Sequence, residues 1–505
     1  MVSYDDESPK RVTHMGKEPR GLVDREEELR ELQPLLERPG PTPILLYGRR
    51  RVGKTFLLNR AWPEEATYYF VAADATPEIN RREIVEEVSR QTGVEHHPED
   101  YPTWRSIFRL LLELGGQGPA VVILDEYQNL RGGDDDPDSQ LLAALETFRE
   151  RGGSRRPFVL ALCGSMVADM EELRSAGSPL YGRFRWVGQL QPFDYLDAVR
   201  MAGFPQRRTG VYAYGIFGGT PSYLDPIDPA LSLRENVARL VLSPRGEVRL
   251  MVESALEQER GLRSVTEYRS VLLAVGRGRS TRNEIGQATG LATGFDLQRR
   301  LDLLEGLGYL SRERNFGAAR NEAFRYRLSD PAQEFHYRVV GRYRMELEMG
   351  EGLEVWDRYV SPGLDTHVGK WVFERIVPQA YVRLRARDDL PMTAEWGRWE
   401  GRDRNRESLE MDVVARLTGG GMLTGSVKWN RSPVGPELHL SHLRDLERLR
   451  QAGQGWAHEA MEPVSRFLYV SAAGFQEGFR ELAEASGLPV TLWSLEDLLP
   501  GITEP

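Results

Sequence analysis

The chain of 505 residues contains one cysteine, Cys163, and lacks long apolar runs. A single cysteine excludes an internal disulfide, and the eight histidines form neither an HExxH motif nor a Cys/His cluster, which argues against zinc. A membrane span needs about 18 consecutive apolar residues, and neither such a run nor the apolar stretch of a signal peptide occurs. We therefore predict a cytoplasmic chain with no membrane partner. His439 and His442 are interpreted as ordinary surface residues.

Lysine is also scarce, because only five of the 66 basic residues are lysines: Lys10, Lys17, Lys54, Lys370 and Lys428. Where arginine supplies most of the positive charge, an interior lysine suggests a site that needs a compact point charge instead of a planar fork. Lys54 and Lys428 both fall inside motifs. The net charge of −10 argues against a basic coat over the whole chain but does not exclude local basic patches.

The first motif is a phosphate-binding loop. The stretch "TPILLYGRRRVGKTFLLNR" passes from an apolar strand into Gly48, Gly53, Lys54 and Thr55 and then into a helical pattern, which is GxxxxGK[ST] in its strand–loop–helix context. The glycines let backbone N–H groups face phosphates, Lys54 is expected to reach the β and γ phosphates, and Thr55 is expected to bind magnesium. ATP and Mg²⁺ are therefore the predicted cofactors.

Two acids follow the next strongly apolar strand. "AVVILDEYQNL" ends in Asp125, predicted to bind magnesium directly or through water, and Glu126, predicted to polarise the attacking water. "PFVLALCGSM" then brings Ser165 to the same sheet edge, where its hydroxyl can sense the γ-phosphate. Cys163 is read as a small core residue. Apolar strands alternate with amphipathic helices, which predicts an α/β fold with a parallel sheet covered on both faces.

These motifs together resemble AAA+/STAND P-loop ATPases of the archaeal-type group. "GLVDREEEL", "LYGRRRVGKT", "ILDEYQNL", "CGSM", "SPLYGRF" and "FGGTPSYL" occur in that family's order over residues 21–225. The resemblance implies that Arg25 lies beside the base and that Pro221 covers adenine from a helical lid. It also implies that Arg183 meets the γ-phosphate, in cis or from a neighbouring subunit. The alternative for Arg183 is an ordinary arginine on a helix surface. The alternative for Gly218 and Gly219, before Pro221, is that they only mark the end of a helix.

The middle of the chain has the pattern of a winged helix-turn-helix. Three helical segments precede a hairpin, Ser280 or Thr281 caps the second helix, and the third presents Gln298, Arg299 and Arg300. Residues 265–340 hold twelve arginines against nine acids, which favours DNA as a partner. The alternatives are a spacer within the chain, an autoinhibitory module or a contact between copies in a homo-oligomer.

The last part of the chain resembles a restriction-endonuclease-like domain of PD-(D/E)xK type. A helix carries Glu374, one strand carries Asp412, and the strand "MLTGSVKWN" carries Lys428. The resemblance implies a magnesium site in which a second acid stands two residues before the lysine. Here that residue is Ser426, a neutral and weaker ligand for a hard cation. Glu410 shares a strand face with Asp412 and is a candidate substitute, so an active and a degenerate nuclease both remain open.

The expected organisation is a disordered tail (1–20), a P-loop ATPase core (21–193), a helical lid (194–262), a winged helix (263–345) and the nuclease-like domain (346–505). The first functional hypothesis is an ATP-hydrolysing STAND-type switch that couples nucleotide state to a DNA-binding or nuclease-like domain. A DNA-binding regulator or scaffold with structural ATP is the second. An ATP-licensed, metal-dependent nuclease is the third, and Ser426 argues against it.

Overall fold

The computed structural model describes residues 23–116, 118–131, 136–152, 155–259, 262, 264–318 and 324–502, so the tail predicted for residues 1–20 lies outside the described residues. A five-stranded parallel sheet, in the order β2-β3-β4-β1-β5, forms the centre of the first part of the chain. Its strands are β1 (Gly40–Tyr47), β2 (Thr67–Val71), β3 (Ala120–Asp125), β4 (Pro157–Gly164) and β5 (Trp186–Gln189).

Two separate apolar cores lie on the two faces of this sheet. Successive strand residues point to opposite faces, so Leu45 packs into one core and Ile44 and Leu46 pack into the other. The covering helices are α1 (Glu26–Leu32), α2 (Lys54–Ala61), α3 (Pro77–Thr92), α4 (Trp104–Glu113), α5 (Pro137–Glu150) and α6 (Val167–Glu172). The predicted α/β fold, with a parallel sheet buried on both sides, is confirmed.

A run of short helices follows the sheet. They are α7 (Tyr195–Ala202), α8 (Arg207–Phe217), α9 (Pro221–Leu224), α10 (Leu233–Val237), a π-helical turn (Ala238–Leu242) and α11 (Glu247–Ala255). Gly219 has no room for a side chain, because a Cβ there would lie 1.9 Å from the carbonyl oxygen of Phe193. This close approach holds the start of α9, with Pro221 at its first position, against the segment that enters α7.

The next unit, called the helix–hairpin module, comprises α12 (Val265–Gly276), α13 (Arg282–Thr289), α14 (Phe295–Gly306) and the antiparallel strands β6 (Leu310–Glu313) and β7 (Arg325–Leu328). Thr281 caps α13 and forms a capping box with Glu284, in which each side chain accepts from a backbone N–H at the helix start. The module has its own apolar core, in which Leu272 and Leu301 pack with Tyr326 of β7.

A second mixed sheet, β12-β11-β10-β9-β8, forms the last part of the chain. Its strands are β8 (Thr393–Arg402), β9 (Ser408–Leu417), β10 (Met422–Lys428), β11 (Arg466–Ser471) and β12 (Val490–Trp493). The β8–β9 and β9–β10 pairs are antiparallel and the remaining pairs are parallel. The helices are α15 (Pro331–Phe335), α16 (Arg344–Glu348), α17 (Gly352–Val355), α18 (Ser361–Trp371), α19 (Phe373–Leu384), α20 (Glu437–Gln451), α21 (Gly455–Glu459), α22 (Phe479–Glu484) and α23 (Leu495–Leu498), with π-helical turns at His336–Val340 and Trp356–Val360.

One apolar core joins the helices after the first sheet to the second sheet. Leu196 of α7 and Phe335 of α15 belong to the same buried cluster as Ile376 of α19 and Val413 of β9. The expected domain boundary between residues 345 and 346 therefore falls inside a shared helical layer. Within the described ranges, no helix combines the length and apolar character needed to cross a membrane.

The surface placement expected for His439 and His442 is wrong, because both side chains are buried between α20 and the second sheet. His439 Nδ1 lies 2.7 Å from the Tyr469 hydroxyl, and His442 Nε2 lies 3.1 Å from Thr424 Oγ1. A neutral imidazole with a hydrogen-bond partner can occupy a core. Burial lowers the pKa of His442 to about 3, so this ring is held neutral.

Candidate functional site

The phosphate loop, residues 48–55, joins β1 to α2. A Cβ at Gly48 would lie 2.3 Å from the carbonyl oxygen of Leu190, and Gly53 has a φ of 93°, so each position requires glycine for a different reason. The buried Lys54 ammonium donates to the carbonyl oxygens of Gly48 (2.8 Å) and Arg49 (3.1 Å). The lysine is thus curled inside the loop, where a phosphate oxygen can replace these carbonyl acceptors.

Oxygen ligands suited to magnesium meet at the end of β3. The Thr55 hydroxyl donates to Asp125 Oδ2 across 3.4 Å, and the Tyr69 hydroxyl donates to the same oxygen while lying 3.3 Å from Thr55 Oγ1. Burial and the Asp125 carboxylate raise the pKa of Tyr69, which keeps its hydroxyl protonated as a donor. A hydroxyl beside a carboxylate fits the oxygen preference of Mg²⁺. The sequence reasoning did not identify Tyr69.

The second acid lies beside Ser165, because β3 and β4 are neighbours in the sheet. The Ser165 hydroxyl donates to Glu126 Oε2 at 2.6 Å and the Ser165 backbone N–H donates to it at 3.3 Å, while the Gln128 amide also donates to this oxygen. Glu126 itself has a φ of 53°, a left-handed conformation that is uncommon outside glycine. This carboxylate is oriented by three donors and is chemically able to accept a proton from water.

A cavity of about 500 Å³ opens beside the phosphate loop. Arg25, Gly53 and Pro221 all line it, together with the apolar side chains of Phe193 and Met251. The Arg25 guanidinium lies 5.1 Å from the centre of the Phe193 ring and donates to the carbonyl oxygen of Gln191 at 2.6 Å. The structure therefore brings together the residues that the resemblance assigns to the base, in a largely apolar cavity of the kind that binds flat ligands.

Within the described residues, Arg183 has no recorded contact with the phosphate loop, with the acids after β3 or with the cavity beside the loop. Its guanidinium lies 3.7 Å from Glu146 of α5, and 44% of its side chain is exposed. Three consecutive arginines, Arg49 to Arg51, lie in the phosphate loop itself, and Arg50 contacts Ser165. The sequence reasoning quoted this triplet without using it, although three adjacent guanidinium groups in a phosphate loop were a visible signal.

A second candidate site, called the carboxylate cluster, lies on α19 and β9. One oxygen from each of Glu374, Glu410 and Asp412 falls within 4.8 Å of the others. The Lys428 ammonium donates to Asp412 Oδ2 at 2.9 Å, and the backbone N–H of Val427 donates to the same oxygen at 2.8 Å. Three convergent carboxylates fit a divalent cation. Ser426 lies on β10 two residues before Lys428 and supplies no carboxylate.

An arginine that the sequence reasoning missed occupies this cluster. The Arg398 guanidinium, from β8, lies 3.4 Å from Glu374 Oε2 and 3.4 Å from Glu400 Oε2, and also pairs with Glu410. Burial raises the pKa of Glu374 to about 7, against the opposing effect of Arg398. The guanidinium thus supplies positive charge at the place where a bound metal ion would do so.

The hairpin of the helix–hairpin module is bonded to the edge of the second sheet beside this cluster. The backbone N–H of Phe316 donates to the carbonyl oxygen of Arg398 at 2.8 Å, and the Asn315 amide donates to the carbonyl oxygen of Glu400 at 2.7 Å. Arg325 of β7 pairs with Glu400 at 2.6 Å. A cavity of about 790 Å³ separates β7 from the carboxylate cluster and is lined by both.

The three residues expected to face DNA from α14 differ in their availability. Arg299 is exposed, whereas Gln298 donates to Asp302 at 2.8 Å and Arg300 donates to Glu267 at 2.8 Å. Two of the three side chains are therefore engaged within the module. Exposure leaves Arg299 as the strongest candidate of the three for a phosphate contact.

Comparisons with known proteins agree with the first site. Residues 22–227 match a family described as "ATPase domain predominantly from Archaea", and residues 336–439 match one described as "Archaea bacterial proteins of unknown function". An uncharacterized protein of Methanocaldococcus jannaschii is 25% identical over 402 residues, which are 78% of this chain and 84% of the relative.

Two solved structures are similar to part of this chain. The Walker-type ATPase of Pyrococcus abyssi has 22% identity and a TM-score of 0.46, covering 63% of this chain and 96% of its own. The ORC2 protein of Aeropyrum pernix, in ADPNP and ADP complexes, has 15% identity and a TM-score of 0.45, covering 67% and 97%.

The phosphate loop, the sheet that carries it and the matched family define the class of this protein. Residues 22–227 have the sheet and phosphate loop of a P-loop ATPase and match the family described as an ATPase domain predominantly from Archaea. The chain combines this part with a C-terminal α/β sheet domain, and residues 336–439 match the family of unknown function.

Proposed function

We propose that this protein is an ATP-hydrolysing switch of STAND type. In this proposal the helix–hairpin module is a winged helix that lies between the ATPase and a nuclease-like C-terminal domain. The nucleotide bound at the phosphate loop changes how this module packs against the two. The matched ATPase domain supports nucleotide binding. The convergence of Lys54, Thr55, Asp125 and Glu126 at one sheet edge supports hydrolysis.

The roles of the residues follow from their chemistry. Lys54 exchanges its carbonyl acceptors for phosphate oxygens, and Thr55 and Asp125 are the groups that would hold magnesium, which supplies charge neutralisation for the phosphates when bound. Glu126 takes the proton of the attacking water. Ser165 orients the Glu126 carboxylate, so it is suited to report whether a γ-phosphate is present.

The observation that carries the switch is a direct contact between the phosphate loop and the helix–hairpin module. The Arg49 guanidinium donates to the carbonyl oxygen of Gly308 at 3.2 Å and lies 4.6 Å from the centre of the Tyr309 ring. Tyr309 in turn donates to Glu259 at 3.0 Å. A loop that moves on binding phosphate therefore alters a contact at the base of the hairpin, and this hairpin is the part bonded to β8.

Hydrogen–deuterium exchange is the test of the switch. ATP with magnesium should change the protection of residues 310–316 and 396–402 relative to ADP, because the backbone bond from Phe316 to Arg398 joins these two segments. The Lys54→Ala variant should show neither the change nor ATP turnover. Wild-type turnover with the same exchange in both nucleotide states would leave an ATPase and remove the switch.

A second candidate function is metal-dependent cleavage of DNA at the carboxylate cluster. The specific observation that favours it is the ammonium of Lys428 beside Asp412, with two further carboxylates in reach. Ser426 weighs against it, because the nuclease pattern expects an acid there. The remaining alternative is a DNA-binding regulator or scaffold in which the sheet domain binds DNA without cutting it.

Substitutions at the cluster separate these alternatives. If the missing acid limits the site, Ser426→Glu should tighten manganese binding and create or increase cleavage of double- and single-stranded DNA, and Lys428→Ala in that background should abolish the cleavage. If the parent already cuts and Glu410→Ala stops it, Glu410 is the substitute ligand. A parent and a Ser426→Glu variant that bind DNA but neither bind manganese nor cut would support the scaffold.

A further inference from the structure

We infer that Arg50 is the arginine that contacts the γ-phosphate, and that the same chain supplies it. The inference rests on the proposed hydrolysis of ATP and names a residue to which neither the motifs nor the comparisons assign a role. It begins from the arginine triplet of the phosphate loop, whose three side chains go to three different places.

Two arginines of the triplet are committed to other parts of the chain. Arg49 points to the helix–hairpin module, where it bonds Gly308 and covers Tyr309. Arg51 has a φ of 70° and donates to the carbonyl oxygen of Met251 at 2.6 Å, on α11. Both guanidinium groups are partly buried in these contacts. Neither is directed at the catalytic carboxylate.

Arg50 is exposed and points to the catalytic edge of the sheet. Its Nε donates to Ser165 Oγ at 3.4 Å, and the same hydroxyl donates to Glu126 Oε2 at 2.6 Å. Its Nη1 donates to Gln258 Oε1 at 3.4 Å, an exposed contact that water or a ligand oxygen can replace. A guanidinium, a hydroxyl and a carboxylate therefore follow one another in a chain beside the loop that holds the phosphates.

This position suits the charge that develops during hydrolysis. Water attacks the γ-phosphorus, Glu126 takes a proton from that water, the bond from phosphorus to the β,γ-bridging oxygen breaks, and ADP leaves with its electron pair. Negative charge spreads over the γ-oxygens, and the planar fork of an arginine can donate two hydrogen bonds to them. An arginine in this role raises kcat by a factor of about 10³–10⁵.

The competing arginine is Arg183, which pairs with Glu146 at 3.7 Å on the exposed side of α5. For Arg183 to reach a γ-phosphate, its present ion pair must break and the segment must move, or a second copy of the chain must present it. Arg50 needs neither, because it is part of the loop itself. Hydrolysis should therefore be independent of protein concentration.

The test compares Arg50→Ala and Arg50→Lys with the wild type, with Arg60→Ala as a matched control, since Arg60 is an exposed arginine on the helix that follows the same loop. Arg50→Ala should lower kcat about 1,000-fold or more while the affinity for ADP changes by less than about threefold, and Arg50→Lys should recover part of the loss. Arg60→Ala should match the wild type. Arg183→Ala should hydrolyse ATP at the wild-type rate at every protein concentration.

A second measurement does not depend on turnover. A fluorescent ADP analogue with magnesium and aluminium fluoride, which imitates the transferring phosphoryl group, should be trapped by the wild type and by Arg60→Ala but not by Arg50→Ala. Normal trapping and normal kcat in Arg50→Ala would overturn the inference. If the wild type hydrolyses no more ATP than Lys54→Ala, the proposed ATP hydrolysis is wrong. If the trapping of the analogue still requires Arg50 in that case, the assignment of Arg50 to the γ-phosphate remains valid.

Discussion

Replacing Arg398 with methionine should make the carboxylate cluster bind manganese more tightly. The guanidinium now pairs with Glu374 and Glu410, so a metal ion has to compete with a cation that is already present. Methionine keeps most of the apolar stem that packs in β8 and removes the charge. The backbone bond from Phe316 to residue 398 does not depend on the side chain and should remain.

The size of the effect follows from the geometry of the ion pairs. Two unit charges about 4 Å apart interact by about 4 kcal/mol at an effective dielectric constant of about 20. The side chains of Arg398 and Glu374 are 26% and 20% exposed and that of Glu410 is 49% exposed, so solvent screening reduces the net effect to about 1–2 kcal/mol. Because about 1.4 kcal/mol of binding free energy corresponds to a tenfold change in affinity, we expect Arg398→Met to bind manganese about tenfold more tightly.

Isothermal titration calorimetry with Mn²⁺ at pH 8 measures this gain. The alkaline pH matters because the pKa of Glu374 is raised to about 7 by burial, and losing Arg398 raises it further, so protons would compete with the metal at lower pH. Arg416→Met is the control, since Arg416 lies on neighbouring β9 but pairs with Glu459. Unchanged or weaker manganese binding by Arg398→Met would refute the idea that the guanidinium occupies the metal position.

Three further outcomes are expected. ATP with magnesium at about 100 times its dissociation constant should stabilise the wild type by about 2.7 kcal/mol, and the same thermal shift in Lys54→Ala would mean that the site is misassigned. Glu126→Gln should bind ATP but lose turnover in a phosphate-release assay, and wild-type rates would exclude Glu126 as the base. The pKa of His442 is about 3 in the folded chain and near 6.5 in an unfolded chain, so the unfolded state binds more protons as the pH falls. Acid therefore favours unfolding, and between pH 6.5 and 5 this residue should lower the free energy of unfolding of the wild type by about 2 kcal/mol. His442→Gln should lose correspondingly less stability over that interval in chemical unfolding followed by tryptophan fluorescence, and an identical pH slope would contradict the assignment.

Local sequence patterns were sufficient for the ATPase part of the fold. The apolar strands around Ile44 and Ile123 have no polar face, which only a sheet buried on both sides accommodates, and the protein has such a sheet. The phosphate loop could be predicted from the sequence because its function depends on the backbone conformation of eight adjacent residues. Thr281 and Glu284 also form the capping box that their spacing predicts.

Patterns of single strands and helices were not sufficient where function depends on contacts between distant segments. His439 and His442 looked like surface residues because burial depends on which face of α20 meets the sheet, and hydrogen bonds to Tyr469 and Thr424 make that burial tolerable. Arg398 was overlooked because its partners Glu374 and Glu410 are brought to it by a helix and by a neighbouring strand.

The sequence by itself therefore determined the P-loop, the acids that follow β3 and the parallel sheet that joins them, because each depends on short-range patterns of glycine, charge and apolar residues. Only the tertiary structure decided the separate directions of Arg49, Arg50 and Arg51, the docking of the hairpin on β8 and the cation within the carboxylate cluster. The physical reason is that a side chain's direction and its ion-pair partners depend on packing between elements, which no local period encodes.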